Sequence, residues 1–193
     1  DSDPFSRWQA YNTLLTEALI GAYRKVLGGR QPSFTRQLVE LAGVIAADDT
    51  LEHAYRALTL ALPGEADVAR EIGKNIDPEA ILASRNALVD AIAGANGEAF
   101  GDLYASLDWK GAFSPDAASA GRRALRNTLL DYLAVQPEGL ERAVRHFKTA
   151  SNMTDRVAAL TVLAHRHPGT QQAEQALADF EKKYRGDALV LAN

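Results

Sequence analysis

The sequence predicts an all-α fold: an irregular stack of helical hairpins, a superhelical ARM/HEAT-like array of about nine or ten helices. Three observations predict it. Alanine (35) and leucine (24) dominate the 193 residues, against 16 valines and isoleucines together, a bias that favours helix over strand. Apolar residues recur with the 3-1-3 spacing that places them on one helical face, and no segment alternates as a half-buried strand would. Capping residues, prolines and glycines punctuate these stripes at intervals of one helix.

Asp3-Pro4 opens the first helix, with a capping carboxylate ahead of a proline suited to the first turn. Its stripe runs through Trp8, Leu15, Leu19, Tyr23 and Val26, and Gly28-Gly29 stops it. Leu38, Leu41, Ala42 and Ile45 mark the second helix. Asp49 and Glu52 have capping-box spacing and predict the next start. Pro63-Gly64 and Gly73 bound short helices, and Asp77-Pro78 opens a segment whose stripe ends with Phe100, Leu103, Tyr104 and Leu107. Ser114-Pro115 repeats the cap-proline signal before Leu125, Leu129, Tyr132 and Leu133. Leu140, Ala143, Val144 and Phe147 define the next helix. Thr154 is the expected cap of the one after, with Asp155 at its positive end. His167-Pro168-Gly169 ends that helix, and Ala173, Ala176, Leu177 and Phe180 carry the following one as far as Gly186. Asp187–Asn193 reads as the start of a further helix. The hairpins differ in length and share no consensus, so no regular sequence repeat is expected.

Residues 1–193 read as a single all-α domain. The start at Asp1 without methionine, and the apolar Leu189-Val190-Leu191 at the other end, predict an excised part of a longer chain.

Composition excludes several functions. Without cysteine there is no disulfide, thiol nucleophile, cysteine zinc site or iron–sulfur cluster. A net charge of −4 is a poor balance for nucleic acid or an anionic membrane. No run of about 18 apolar residues is present to span a bilayer. H-E-x-x-H, G-x-S-x-G and S-x-x-K are all missing, and Gly28-Gly29-Arg30 lacks the end of a phosphate loop.

The remaining candidates read as structural. His165 and His167, two apart, face different sides of a helix and suit its carboxyl end better than a shared metal. His53 and His146 stand alone in amphipathic segments and read as surface or partly buried. Asp48-Asp49 read as helix-capping residues. Arg122, Arg123, Arg126, Arg142, Arg145 and Lys148 form a basic stretch, and Asp48, Asp49, Glu52, Glu65, Asp67 and Glu71 an acidic one. Both are expected to be solvated faces. Arg123 and Arg126, at i and i+3, could hold a carboxylate from a neighbouring segment, and no aromatic residue interleaves with them as in a single-strand binder. Catalytic, cofactor-binding and metal residues are therefore expected to be none.

Five motifs in register, and the closing segment after them, resemble a known family. Asp1-Ser2-Asp3-Pro4-Phe5-Ser6-Arg7-Trp8-Gln9-Ala10 is similar to the D-S-D-x-F-x-R-W-[ED]-A that opens the carboxyl-terminal helical domain of bacterial aminopeptidase N, with Gln9 in place of the acid. Ala57-Leu58-Thr59-Leu60-Ala61-Leu62-Pro63-Gly64-Glu65 resembles its A-L-x-L-P-S-E, with Gly64 in place of serine, and Ile76-Asp77-Pro78-Glu79-Ala80-Ile81 its V-D-P-x-x-I. Arg123-Ala124-Leu125-Arg126-Asn127 and Asn152-Met153-Thr154-Asp155-Arg156 resemble its R-x-L-[RK]-N and N-M-T-D-[RA], and Asp187–Asn193 the segment before a Lys-Trp-Phe.

The resemblance implies the first part of that helical domain, which walls an active-site chamber and restricts it to small peptides. Zinc and the catalytic glutamate would lie in a separate domain of the parent, with an immunoglobulin-like domain between. Partners would be those domains and, through them, peptides; no nucleic acid and no membrane are implied, and the setting would be cytoplasmic. A stand-alone helical interaction module docking through the basic stretch is the alternative. A helical hydrolase using His165 or His167 ranks behind both.

Overall fold

The computed structural model describes residues 3–187 and residue 190, and among these it contains nine α-helices and no strand. They are α1 (Pro4–Leu27), α2 (Arg36–Ala47), α3 (His53–Leu60), α4 (Glu65–Ile72), α5 (Pro78–Ser106), α6 (Ala117–Leu133), α7 (Gly139–Thr149), α8 (Met153–Arg166) and α9 (Gln171–Tyr184). The further helix expected over 187–193 falls largely outside the described residues.

Local chemistry sets most boundaries. The Asp3 and Asp77 carboxylates accept from the Ser6 and Ala80 amides, so both Asp-Pro starts cap as expected. Three other starts differ. Asp116, not Ser114, caps α6 by accepting from Ser119 N, while Ser114 Oγ donates to the same carboxylate. Asn152, not Thr154, caps α8 by accepting from Asp155 N at 2.9 Å, because Asn152 is itself the extended residue ahead of the helix, whereas Thr154 lies within its first turn. The Asp49–Glu52 box does not form: α3 begins after Glu52 without a side-chain cap, and Asp48 closes the turn by accepting from Thr50 N.

The 29-residue α5 is about 43 Å long at the usual rise per residue, and α1, α2, α4 and α6 all pack on it. α3 packs on α6, and α8 carries α7 and α9 beyond it. Fully buried Leu15, Leu19, Leu88, Ile92, Phe100, Leu129 and Leu163 run in one continuous core from α1 to α8. Each such side chain contributes about 1.5–3 kcal/mol relative to exposure.

Polar groups fix the register where apolar contact alone would let helices slide. The Tyr132 hydroxyl, on α6, donates to Leu60 O at 2.7 Å at the end of α3. Asn96 on α5 donates to Val39 O at 3.0 Å, and Gly43 leaves the room its side chain needs, since a Cβ there would lie 2.1 Å from Asn96 Oδ1. At the α3–α6 crossing, a Cβ on Gly121 would lie 2.9 Å from the backbone nitrogen of Ala54. Gly121 thus lets two backbones approach, while Gly43 makes room for a side chain.

Candidate functional site

A groove of about 690 Å³ crosses α4, α5, α6 and α8. Its floor is polar and internally neutralised. Arg166, at the end of α8, donates Nε and Nη2 to the two oxygens of Asp131 at 2.8 and 2.9 Å, and Nη1 to Asn86 Oδ1 at 2.6 Å. This bidentate pairing strengthens the hold on its proton. Arg85 donates to Pro63 O at 3.0 Å and faces Glu65 at 3.5 Å. Thr128 and Thr161 add hydroxyls, and His165 lies exposed on the rim. No nucleophile in the groove is hydrogen-bonded to a base. Chemically it can line a path for a polar chain.

The histidines separate. His165 is exposed beside the groove, whereas the His167 ring bonds the backbone of Ala134 and burial lowers its pKa. His146, expected at the surface or partly buried, is instead fully buried, 2% exposed. Its Nδ1 shares a 2.7 Å hydrogen bond with the Tyr104 hydroxyl, and burial, with Arg126 nearby, lowers its pKa to about 4. The amphipathic pattern misleads there because His146 sits beside Phe147 on the buried edge of α7. Among the described residues, no three histidine or carboxylate side chains are disposed to hold a metal ion. The zinc that the family resemblance implies therefore finds no ligand set in them.

Asp48 and Asp49 lie in the α2–α3 connection, Asp48 facing Arg7 at 3.9 Å. Of the i, i+3 arginines, Arg126 does hold a carboxylate, Asp108 at 2.9 Å, while Arg123 donates to Ser114 O at 2.8 Å instead. Arg142 faces Glu138 at 3.8 Å, and Arg145 and Lys148 are exposed on α7.

The fold supplies what the sequence order withholds. Arg122, Arg123 and Arg126 lie over the rings of Trp109, Phe113 and Tyr104, at 4.4, 4.7 and 4.6 Å. The signal available in the sequence was Trp109-Lys110-Gly111-Ala112-Phe113, two aromatic residues in a short connection directly before the arginine-bearing helix.

Comparison with known proteins adds identity to this geometry. Residues 1–193 match the family described as a domain of unknown function (DUF3458_C), ARM repeats. The chain is 36% identical over 193 residues to aminopeptidase N of Caulobacter vibrioides, covering 99% of this chain and 22% of that protein. It is 28% identical over 191 residues to aminopeptidase N of Haemophilus influenzae, covering 97% and 21%. It thus spans about a fifth of the length of the curated relatives it matches. The crystal structure of Legionella pneumophila aminopeptidase A in complex with aspartic acid superposes with a TM-score of 0.80 at 21% identity, over 99% of this chain and 23% of that one. That likeness carries the fold. The chain belongs to the DUF3458_C family of ARM-repeat domains, the helical domain for which its resemblance to aminopeptidase N called.

Proposed function

We propose that this chain is the non-catalytic helical domain of a zinc-dependent, cytoplasmic aminopeptidase of the N type. One all-α unit within a longer polypeptide, it would wall the chamber in which amino-terminal residues are removed from small peptides. Zinc and the reacting groups belong, on this reading, to other domains of the same polypeptide. The observation that carries it is the match of almost the whole chain to about a fifth of aminopeptidase N. The groove supports it: Arg166 and Arg85 are already engaged by neighbouring acceptors, so its wall can pass a peptide without trapping it.

Filling the groove tests the reading. In the full-length protein, Ala158→Trp and Thr161→Arg project into it. The expected result is a raised KM for longer peptides with unchanged turnover of a single-residue chromogenic amide. An unaltered length profile in a folded, active variant would refute the wall.

A further inference from the structure

We propose that the cleft between the 107–116 connection, α6 and the start of α8 is a docking site for an extended acidic peptide segment. It shares no lining residue with the groove, so the inference stands apart from the chamber-wall reading.

Three guanidinium groups face this cleft, each over an aromatic ring. Arg123 spends Nη1 on Ser114 O and Arg126 spends Nη2 on Asp108, so the donors left for an incoming carboxylate are those of Arg122 and the remaining N–H groups of the other two. The local acids are already engaged. Asp108 holds Arg126 and Lys110, Asp116 caps α6, and Asp155 accepts from Asn127 and Asn152. Among the described residues no carboxylate reaches Arg122 or Arg123. The cleft lining carries Arg122, Arg123 and Arg126 against the carboxylate of Asp155, with Asp108 pairing Arg126 from beside it, so a net positive charge remains.

The occupant follows from size, spacing and composition. The cleft offers about 40 Å³, little more than a carboxylate needs. Arg122 and Arg126 lie one turn apart, a rise of about 6 Å, close to the roughly 6.8 Å between alternate side chains of an extended strand. A Glu-x-Glu pattern matches that spacing. Trp109 and Phe113, 60% and 54% exposed, flank the arginines and give the aromatic–arginine composition of protein-binding hot spots. Nucleic acid fits less well, because a cleft of about 40 Å³ admits a carboxylate and not a nucleobase.

The test is fluorescence anisotropy of a fluorescein-labelled, N-acetylated Glu-Ala-Glu-Ala-Glu peptide with the full chain at low salt. Saturable binding should weaken at least about tenfold on replacing glutamate with glutamine, and again with Arg122→Gln plus Arg123→Gln at unchanged helicity. Trp109→Ala, at a largely exposed side chain, should weaken it several-fold and serves if the double variant misfolds. Equal binding of the glutamine peptide, or full binding by both variants, would overturn the assignment. So would inorganic phosphate competing as well as the peptide, or tighter binding of a labelled oligouridylate.

Discussion

The buried His146 makes stability depend on pH in a way that one substitution can isolate. Its folded pKa is about 4 against 6.5 for the free side chain, chiefly because burial disfavours the charged ring and secondarily because Arg126 faces it. Asp108 and Asp155, also nearby, act in the opposite direction. Between those two values the unfolded chain binds more protons than the folded one. The contribution of the neutral ring is therefore complete above about pH 6.5 and is lost as the pH falls towards 4. One such group costs about 2 kcal/mol by pH 5 and about 3 kcal/mol by pH 4. Urea unfolding followed by helical circular dichroism at pH 7.5, 6 and 5 measures this for the parent chain and for His146→Phe. The phenylalanine variant is less stable at pH 7.5, since the Tyr104 hydroxyl loses its partner. Its loss of stability between pH 7.5 and 5 should be smaller than the parent's by about 2 kcal/mol. His53 and His167, whose pKa values are also lowered by burial, remain in both proteins and cancel. The same pH slope in the two proteins would refute the assignment of a buried neutral ring.

Two further substitutions follow from local geometry. Asn152→Ala should cost about 1 kcal/mol by removing the cap on α8, while Thr154→Ala, at an exposed position inside the helix, should change stability by less than about half of that. Denaturant midpoints decide between the two residues. Gly121→Val should cost about 1–3 kcal/mol, because its Cβ would meet the Ala54 backbone across the α3–α6 crossing. Gly101→Ala, where a Cβ on α5 meets nothing within 4 Å, should instead raise the melting temperature, gaining up to about 1 kcal/mol of helix propensity.

What the sequence revealed and what it hid divide along the distance over which each feature is decided. Asp3-Pro4 and Asp77-Pro78 are legible because cap, proline and first turn lie within four residues. The four-residue stripes on α2, α6 and α7 were likewise decided locally, and they do bury Ala42, Leu125 and Ala143. Ser114-Pro115 misled because the next residue, Asp116, offers a better acceptor one position later. The partnership of α3 with α6 was not legible, since it joins segments some 60 residues apart through Gly121 and Tyr132 rather than through adjacent hairpins. Arg56 illustrates the same limit: it is 5% exposed, and its Nη1 donates to Ala46 O at 2.8 Å, a placement no helical stripe announces. The arginine–aromatic cleft was half legible: Trp109 and Phe113 directly precede the arginine-bearing helix, but the Tyr104 ring comes from α5 and only the fold brings it under Arg126.

The order of packing sets where the molecule opens first. α7, α8 and α9 pack mainly on one another, and they reach the rest through α6, the Arg166 contact with Asn86 and the buried Tyr104–His146 bond to α5. α1 to α6, by contrast, are interlocked by α5 and by the long-range bonds of Asn96 and Tyr132. Local unfolding can therefore release α7–α9 as a unit while α1–α6 stay closed. Amide hydrogen exchange should fall into two tiers, with the slower tier in α5 and α6 and a common, lower opening energy across the last three helices.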